Sequence, residues 1–136
     1  VELGGPGLIA FDADALLAGG TIEPERIRAF ALLDIAMDGS LKEIVEKPAA
    51  DHPLALADER WVSMNLWRFT ETIFDDCAQV QPSARGELEL ADAVRHAIAR
   101  GERFMTVPQR VTVPGLTHRR DVAALDALLA GWVPRP

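Results

Sequence analysis

Glu46 and Lys47 stand side by side in Ile44-Val45-Glu46-Lys47-Pro48, a carboxylate and an ammonium where an apolar run stops. The proline removes a ladder donor and biases Lys47 toward an extended backbone, so the pair belongs at a strand end, where α/β proteins place their sites. If the pleat continues, the two side chains face opposite ways, one suited to reading a hydroxyl and the other a phosphate. The plainer reading is a solvated ion pair at the end of a hairpin, of little energetic weight. A second constellation is Pro82-Ser83-Ala84-Arg85-Gly86-Glu87-Leu88-Glu89-Leu90-Ala91-Asp92, a turn with an arginine running into a helix rich in early acids. Such acids suit the helix dipole by themselves. A third is Trp61 to Phe69, where Ser63 and Asn65 interrupt an apolar strand. A buried Asn there needs partners and is either a structural bracket or a ligand contact.

These residues need elements to hold them. Leu8 to Phe11 reads as a strand, followed by a short helix over 12–17 that stops at Gly19-Gly20. Arg28 to Ile35 and Leu41 to Glu46 read as strands joined through Asp38-Gly39, a strong hairpin signal. Residues 49–60 read as a loop with a turn of helix, and Trp61 to Phe69 as a strand. Thr70 is the expected N-cap of a helix that turns Ile73, Phe74 and Cys77 inward, which makes Cys77 a packed thiol. A helix over 89–100 carries Leu90, Ala91, Val94 and Ile98 at helical spacing. Arg103 to Val107 and Arg110 to Val113 read as short strands. A last helix, over 121–130 and preceded by a solvated Arg119-Arg120, is expected to bury Val122, Leu125, Leu128 and Leu129. Interleaved strands and helices with an inserted β-hairpin predict an α/β fold, a mixed sheet flanked by helices.

Composition narrows the function. The 136 residues carry 14 Lys plus Arg against 21 Asp plus Glu, a formal charge of −7, and 49% are hydrophobic. That excludes intrinsic disorder and has the wrong sign for gripping a nucleic-acid backbone. A single cysteine excludes a disulfide scaffold, and with three scattered histidines it builds no zinc site. No apolar run nears the roughly 18 residues of a membrane span, and no basic n-region marks a signal peptide, so the expectation is a cytoplasmic chain without a membrane partner. A glycine-rich phosphate loop is also missing.

Taken in order, the segments resemble one family, the sugar nucleotidyltransferases or NDP-sugar pyrophosphorylases, typified by glucose-1-phosphate thymidylyltransferase. Phe30-Ala31-Leu32-Leu33-Asp34, Asp38-Gly39 and Ile44-Val45-Glu46-Lys47-Pro48 look like the family's Tyr-Gly-Val-Val-Glu, Asp/Asn-Gly and Glu-Lys-Pro run. Asn65-Leu66-Trp67-Arg68-Phe69 is similar to its Gly/Asn-Leu-Tyr-x-Phe/Tyr strand. The stretch from Pro82 to Asp92 is nearly its Pro-Ser-Ala-Arg-Gly-Glu-Leu-Glu-Ile-Thr-Asp motif, the most specific match. The resemblance implies a Rossmann-like nucleotidyltransferase sheet, a sugar-1-phosphate and a nucleoside triphosphate as substrates, Mg²⁺ as cofactor, and an NDP-sugar and pyrophosphate as products. By carry-over, Lys47 and Arg85 are the catalytic, phosphate-side residues, Glu46 accepts sugar hydroxyls, and Phe30, Ala31, Met64 and Asn65 line the sugar.

The departures shape the remaining expectations. The family's Gly-x-Gly-x-Arg loop, triphosphate-side lysine and first metal aspartate have no counterpart, so residues 28–136 are expected to be the sugar-phosphate-binding half and 1–27 a junction from a missing N-terminal nucleotide-binding half. Such a truncated chain would be inactive alone, and the apolar face left open would favour a homo-oligomer. The family's Trp-x-Asp-Thr-Gly-Thr metal motif falls on Val113-Pro114-Gly115-Leu116-Thr117-His118, with Gly115 in the aspartate's place. No metal ligand is therefore assigned; His118 and Asp121 are the nearest substitutes, and Asp121 reads more simply as a first-turn helix acid. Phe30-Ala31 in place of Tyr-Gly removes a hydroxyl and narrows the approach to the sugar. The alternative function is a non-catalytic sugar-phosphate sensor or regulatory subunit that has lost its metal site.

Overall fold

The computed structural model describes residues 4–20, 22–116, 118–119 and 121–132. Its elements run β1 (Gly7–Asp12), α1 (Ala13–Ala18), α2 (Pro24–Ile27), β2 (Ala31–Ile35), β3 (Leu41–Val45), α3 (Pro53–Leu56), β4 (Trp61–Arg68), α4 (Ile73–Cys77), α5 (Leu90–Ala99), β5 (Met105–Gln109) and α6 (Asp121–Leu129). The five strands form one mixed sheet in the order β3-β2-β4-β1-β5, antiparallel except for the β1–β5 pair. β1 lies inside this sheet and is apolar from Leu8 to Phe11, as a strand covered on both faces must be. Pro108 removes a ladder donor from β5, which an edge strand tolerates.

Each face of the sheet carries its own core. Leu8, Ala10, Ala31, Leu33 and Ile44 meet Val94 and Ala97 of α5 and Phe104 on one face; Phe11, Leu32 and Val62 meet Leu16 of α1 and Ile27 of α2 on the other. Alternation along the strands causes the split: Leu32 and Leu33 are neighbours in sequence and belong to opposite layers. The β2–β3 turn is closed by Asp38, whose Oδ1 accepts from Ser40 N at 2.9 Å and Ser40 Oγ at 2.6 Å, with Gly39 at φ 80°. The turn then reaches across to the opposite sheet edge. Leu41 N donates to Phe104 O at 2.8 Å, and Thr106 Oγ1 donates to Gly39 O at 2.8 Å.

Several local expectations are corrected. The helix after β4 starts with Thr72 as its N-cap, not Thr70, and the Thr72 side chain makes no cap bond; Thr70 Oγ1 and Thr72 Oγ1 are turned to Glu102, to which both donate. α4 is little more than one turn and presents Ile73 and Asp76, an i, i+3 pair, to the interior. Phe74 is therefore 73% exposed, and Cys77 is an exposed thiol instead of a packed one. Residues 110–113 form no strand. They run against the end of α1, where an added Cβ on Gly19 would lie 2.8 Å from Thr112 Cβ. α6 forms where the spacing predicts, yet Val122, Leu128 and Leu129 are 45–57% exposed, because no element of the described chain packs over them. Arg120 lies outside the described residues.

Candidate functional site

Glu46 and Lys47 follow directly on β3. Lys47 is not extended: its φ is 43°, a left-handed bend by which the chain leaves the sheet. The bend carries the ammonium toward the turn before α5, where Lys47 Nζ donates to Glu87 Oε2 at 3.4 Å. Arg85 Nε lies 3.4 Å from the same oxygen, and Arg85 Nη2 pairs with Glu89. One carboxylate oxygen thus joins two cations that are far apart in sequence.

The turn that supplies Arg85 and Glu87 is internally closed. Ser83 N donates to Glu87 O at 2.8 Å, Gly86 N to Ser83 O at 2.7 Å, and Arg85 N to Ser83 Oγ at 3.3 Å. Gly86 sits at φ 77°, where a Cβ would be strained. α5 is tied to β3 by Arg95, whose Nη1 donates to Ile44 O at 2.7 Å while its Nη2 pairs with Asp92. Alternation from Ile44 puts Glu46 on this α5 face. Partial burial, followed by the negative charge of Glu89, pushes the Glu46 carboxyl above the ordinary glutamate range, against the opposing pull of Lys47, Arg85 and Arg95. Lys47 and Arg85 in turn hold Glu87 below that range, as side-chain hydrogen-bond donors.

The residues expected to line the sugar are distributed differently. Ala31 pairs with Ser63 across β2 and β4 and belongs to the core under α5, whereas Phe30 and Met64 pack against the core on the other face. Asn65 lies in a bulge: β4 pairs Trp67 with Leu8 and Ser63 with Ala10, so Met64, Asn65 and Leu66 stand opposite Ile9 alone. Asn65 is exposed at φ 58°, and its N–H donates to Ser63 Oγ at 3.2 Å. Ser63, 4% exposed, is the bracket, and Asn65 is not the buried amide that its strand position suggested. Beside Pro48 a cleft of about 410 Å³ opens between Ile27, Arg28, Leu32, Ala50 and Arg60; Glu46 and Arg85 lie outside it. Glu87 and Glu89 complete the cluster without being assigned from the sequence; Glu89, four positions after Arg85, carries a pairing signal, whereas Glu87 is brought in by the closed turn.

Gly115 lies against α2. A Cβ built there would sit 3.0 Å from Arg26 Nη2 and 3.1 Å from Nη1, and Arg26 Nη1 is 3.8 Å from Asp121 Oδ2. That same Asp121 oxygen accepts from His118 N at 2.8 Å, the contact of an acid at a helix start.

The chain is thus an α/β protein, a mixed sheet with helices on both faces and a charged cluster just beyond one strand end. The chain belongs to the nucleotidyl transferase family, whose model matches residues 9–132. It is 33% identical over 82 residues to the low-salt glycan biosynthesis nucleotidyltransferase Agl11 of Haloferax volcanii, a match covering 58% of this chain and 20% of that protein. Among solved structures it is similar to a Bacillus anthracis protein assigned as a glucose-1-phosphate thymidylyltransferase, in complex with a sucrose, with a TM-score of 0.58 and 16% identity over 97% of this chain and 46% of that one. It is also similar to UDP-glucose pyrophosphorylase complexed with UDP-glucose, with a TM-score of 0.53 and 18% identity over 76% of this chain and 36% of that one. CMP:2-keto-3-deoxy-manno-octonic acid synthetase complexed with CTP matches with a TM-score of 0.57 and 11% identity over 95% of this chain and 50% of that one. The chain therefore spans half or less of the length of each.

The Mg²⁺ implied by the family resemblance does not fit the residues around Gly115. A side chain at Gly115 would meet the Arg26 guanidinium, 3.0 Å from its Cβ, and no group of three or more His, Cys, Asp or Glu side chains suited to a metal occurs among the described residues. No helix among them is long and apolar enough to cross a membrane.

Proposed function

We propose that this chain is the sugar-phosphate-binding half, over residues 28–136 with 1–27 as its junction, of an enzyme that joins a sugar-1-phosphate to a nucleotide and releases pyrophosphate. The observation that carries the reading is the convergence of Lys47 and Arg85 on one anionic oxygen beside Glu46. Lys47 supplies a compact point charge and Arg85 a planar fork, two complementary ways to hold a phosphate. Held so, the sugar phosphate becomes a positioned nucleophile, and phosphoryl-type transfers depend chiefly on positioning and charge neutralisation. Glu46 accepts hydrogen bonds from sugar hydroxyls. Of the residues expected to line the sugar, the exposed Asn65 is left to border it, because Ala31 is buried in the core and Phe30 and Met64 pack on the other face of the sheet. The nucleotide and the rest of the catalytic groups would be held by a second half.

Calorimetric titration with hexose-1-phosphates tests this. A charge-assisted hydrogen bond contributes roughly 1.5–3 kcal/mol, so Lys47→Ala should weaken binding by about tenfold to a hundredfold. Saturable binding that ignores Lys47→Ala and Arg85→Ala would refute the proposal. The Arg26 guanidinium at Gly115 favours a second reading, a sugar-phosphate sensor without catalysis. Pyrophosphate release on mixing with a nucleotide-binding half separates the two, since a sensor binds the sugar phosphate and releases none.

A further inference from the structure

We infer that Glu87 is a displaceable stand-in for the sugar phosphate, a residue that sets the site's preference for phosphates over neutral sugars and carboxylates. The inference rests on Lys47 and Arg85 being the phosphate ligands, as proposed above. Glu87 Oε2 takes Lys47 Nζ and Arg85 Nε at 3.4 Å each, longer than the roughly 2.7–2.9 Å of a good charge-assisted bond. All three side chains are about half exposed, and ion pairs in that setting are weak. The bridge is strong enough to hold two like charges together and weak enough to yield. A phosphate brings about −1.5 to −2 charge and three acceptor oxygens, so it can give each cation a short bond of its own. A carboxylate ligand exchanges like for like, and a neutral sugar offers nothing for the lost pairs. The backbone of Glu87 stays where it is, because its carbonyl is fixed by Ser83 N at 2.8 Å and the turn is closed by Gly86 N on Ser83 O at 2.7 Å. Only the side chain has to swing away.

The test is calorimetric titration of the full chain with glucose-1-phosphate, glucose and acetate, for the wild type, Glu87→Gln, Lys47→Ala and the charge-matched control Glu25→Gln on α2. Glu87→Gln should tighten glucose-1-phosphate by about three- to tenfold and admit acetate, while Glu25→Gln changes neither. Unchanged or weaker binding in Glu87→Gln would overturn the inference, because Glu87 would then only position the two cations. Equal tightening by Glu25→Gln would overturn it as well, as an effect of net charge. If Lys47→Ala weakens binding and Glu87→Gln does not tighten it, the stand-in role fails and the phosphate site survives. Binding that is absent, or indifferent to Lys47→Ala in either background, removes both.

Discussion

Lys47 and Asn65 share a backbone geometry that, among the described residues, no other side-chain-bearing residue adopts: φ is 43° at the first and 58° at the second. Both lie where β3 and β4 leave their pairing with the start of β2. A left-handed backbone costs a residue with a Cβ about 1–3 kcal/mol unless its surroundings hold it, and Asn bears it better than most.

Asn65→Gly should therefore leave stability unchanged or slightly raised, while Asn65→Val, β-branched at the same angle, should lower it by about 1–3 kcal/mol. Urea denaturation of the two variants decides the matter. Equal stability in Val and Gly would mean that the bulge does not impose the angle.

Glu46 titrates above its ordinary value of 4.5, chiefly from burial and then from Glu89. The folded chain therefore holds this proton more tightly than the unfolded chain does, so the contribution of Glu46 to stability falls as pH rises from 4.5 through its folded pKa. Glu46→Gln should stabilise the chain at neutral pH and lose that advantage as pH falls through 4.5. Thermal melts of both proteins across pH 3.5–8 check the sign, and a gain that instead grew toward acid pH would contradict it.

Gly115→Asp is expected to create no Mg²⁺ site. Its carboxylate would meet the Arg26 guanidinium, 3.0 Å from the added Cβ, and pair there. Titration of the variant with MgCl₂ should give no saturable heat beyond that of the wild type. Binding restored by this one change would show that Arg26 gives way to a metal.

Phe104 is 1% exposed and forms an aromatic cluster, with ring centroids 6.1 Å from both Trp67 and Phe69. Phe104→Ala should destabilise the chain by about 3–5 kcal/mol, and Phe104→Leu by less, as volume is partly kept. Urea denaturation followed by tryptophan fluorescence measures both. A cost under about 1 kcal/mol for the alanine would mean that this cluster is not part of the cooperative core.

Local chemistry was readable wherever it was self-contained. Asp38-Gly39 specified its turn, alternation separated Leu32 from Leu33, and the motif around Arg85 announced a closed loop before a helix. What failed depended on distant partners. Cys77 and Phe74 had the spacing of buried residues, but Ile73 and Asp76 won the interior because α4 is too short to bury both pairs. Thr70 had the type of a cap, but Glu102, far along the chain, claimed its hydroxyl.

The same division holds for the site. By itself the sequence determined which residues could carry phosphate chemistry, because charge type and motif order are properties of the chain: Glu46, Lys47 and Arg85 were visible without coordinates. Only the tertiary structure decided what those charges meet. A left-handed bend and a closed turn bring Lys47 and Arg85 onto one oxygen of Glu87, α5 lays Glu89 beside Glu46, and α2 sets Arg26 against Gly115. Coulomb interactions and hydrogen bonds depend on distance in space, and separation along the chain does not report it.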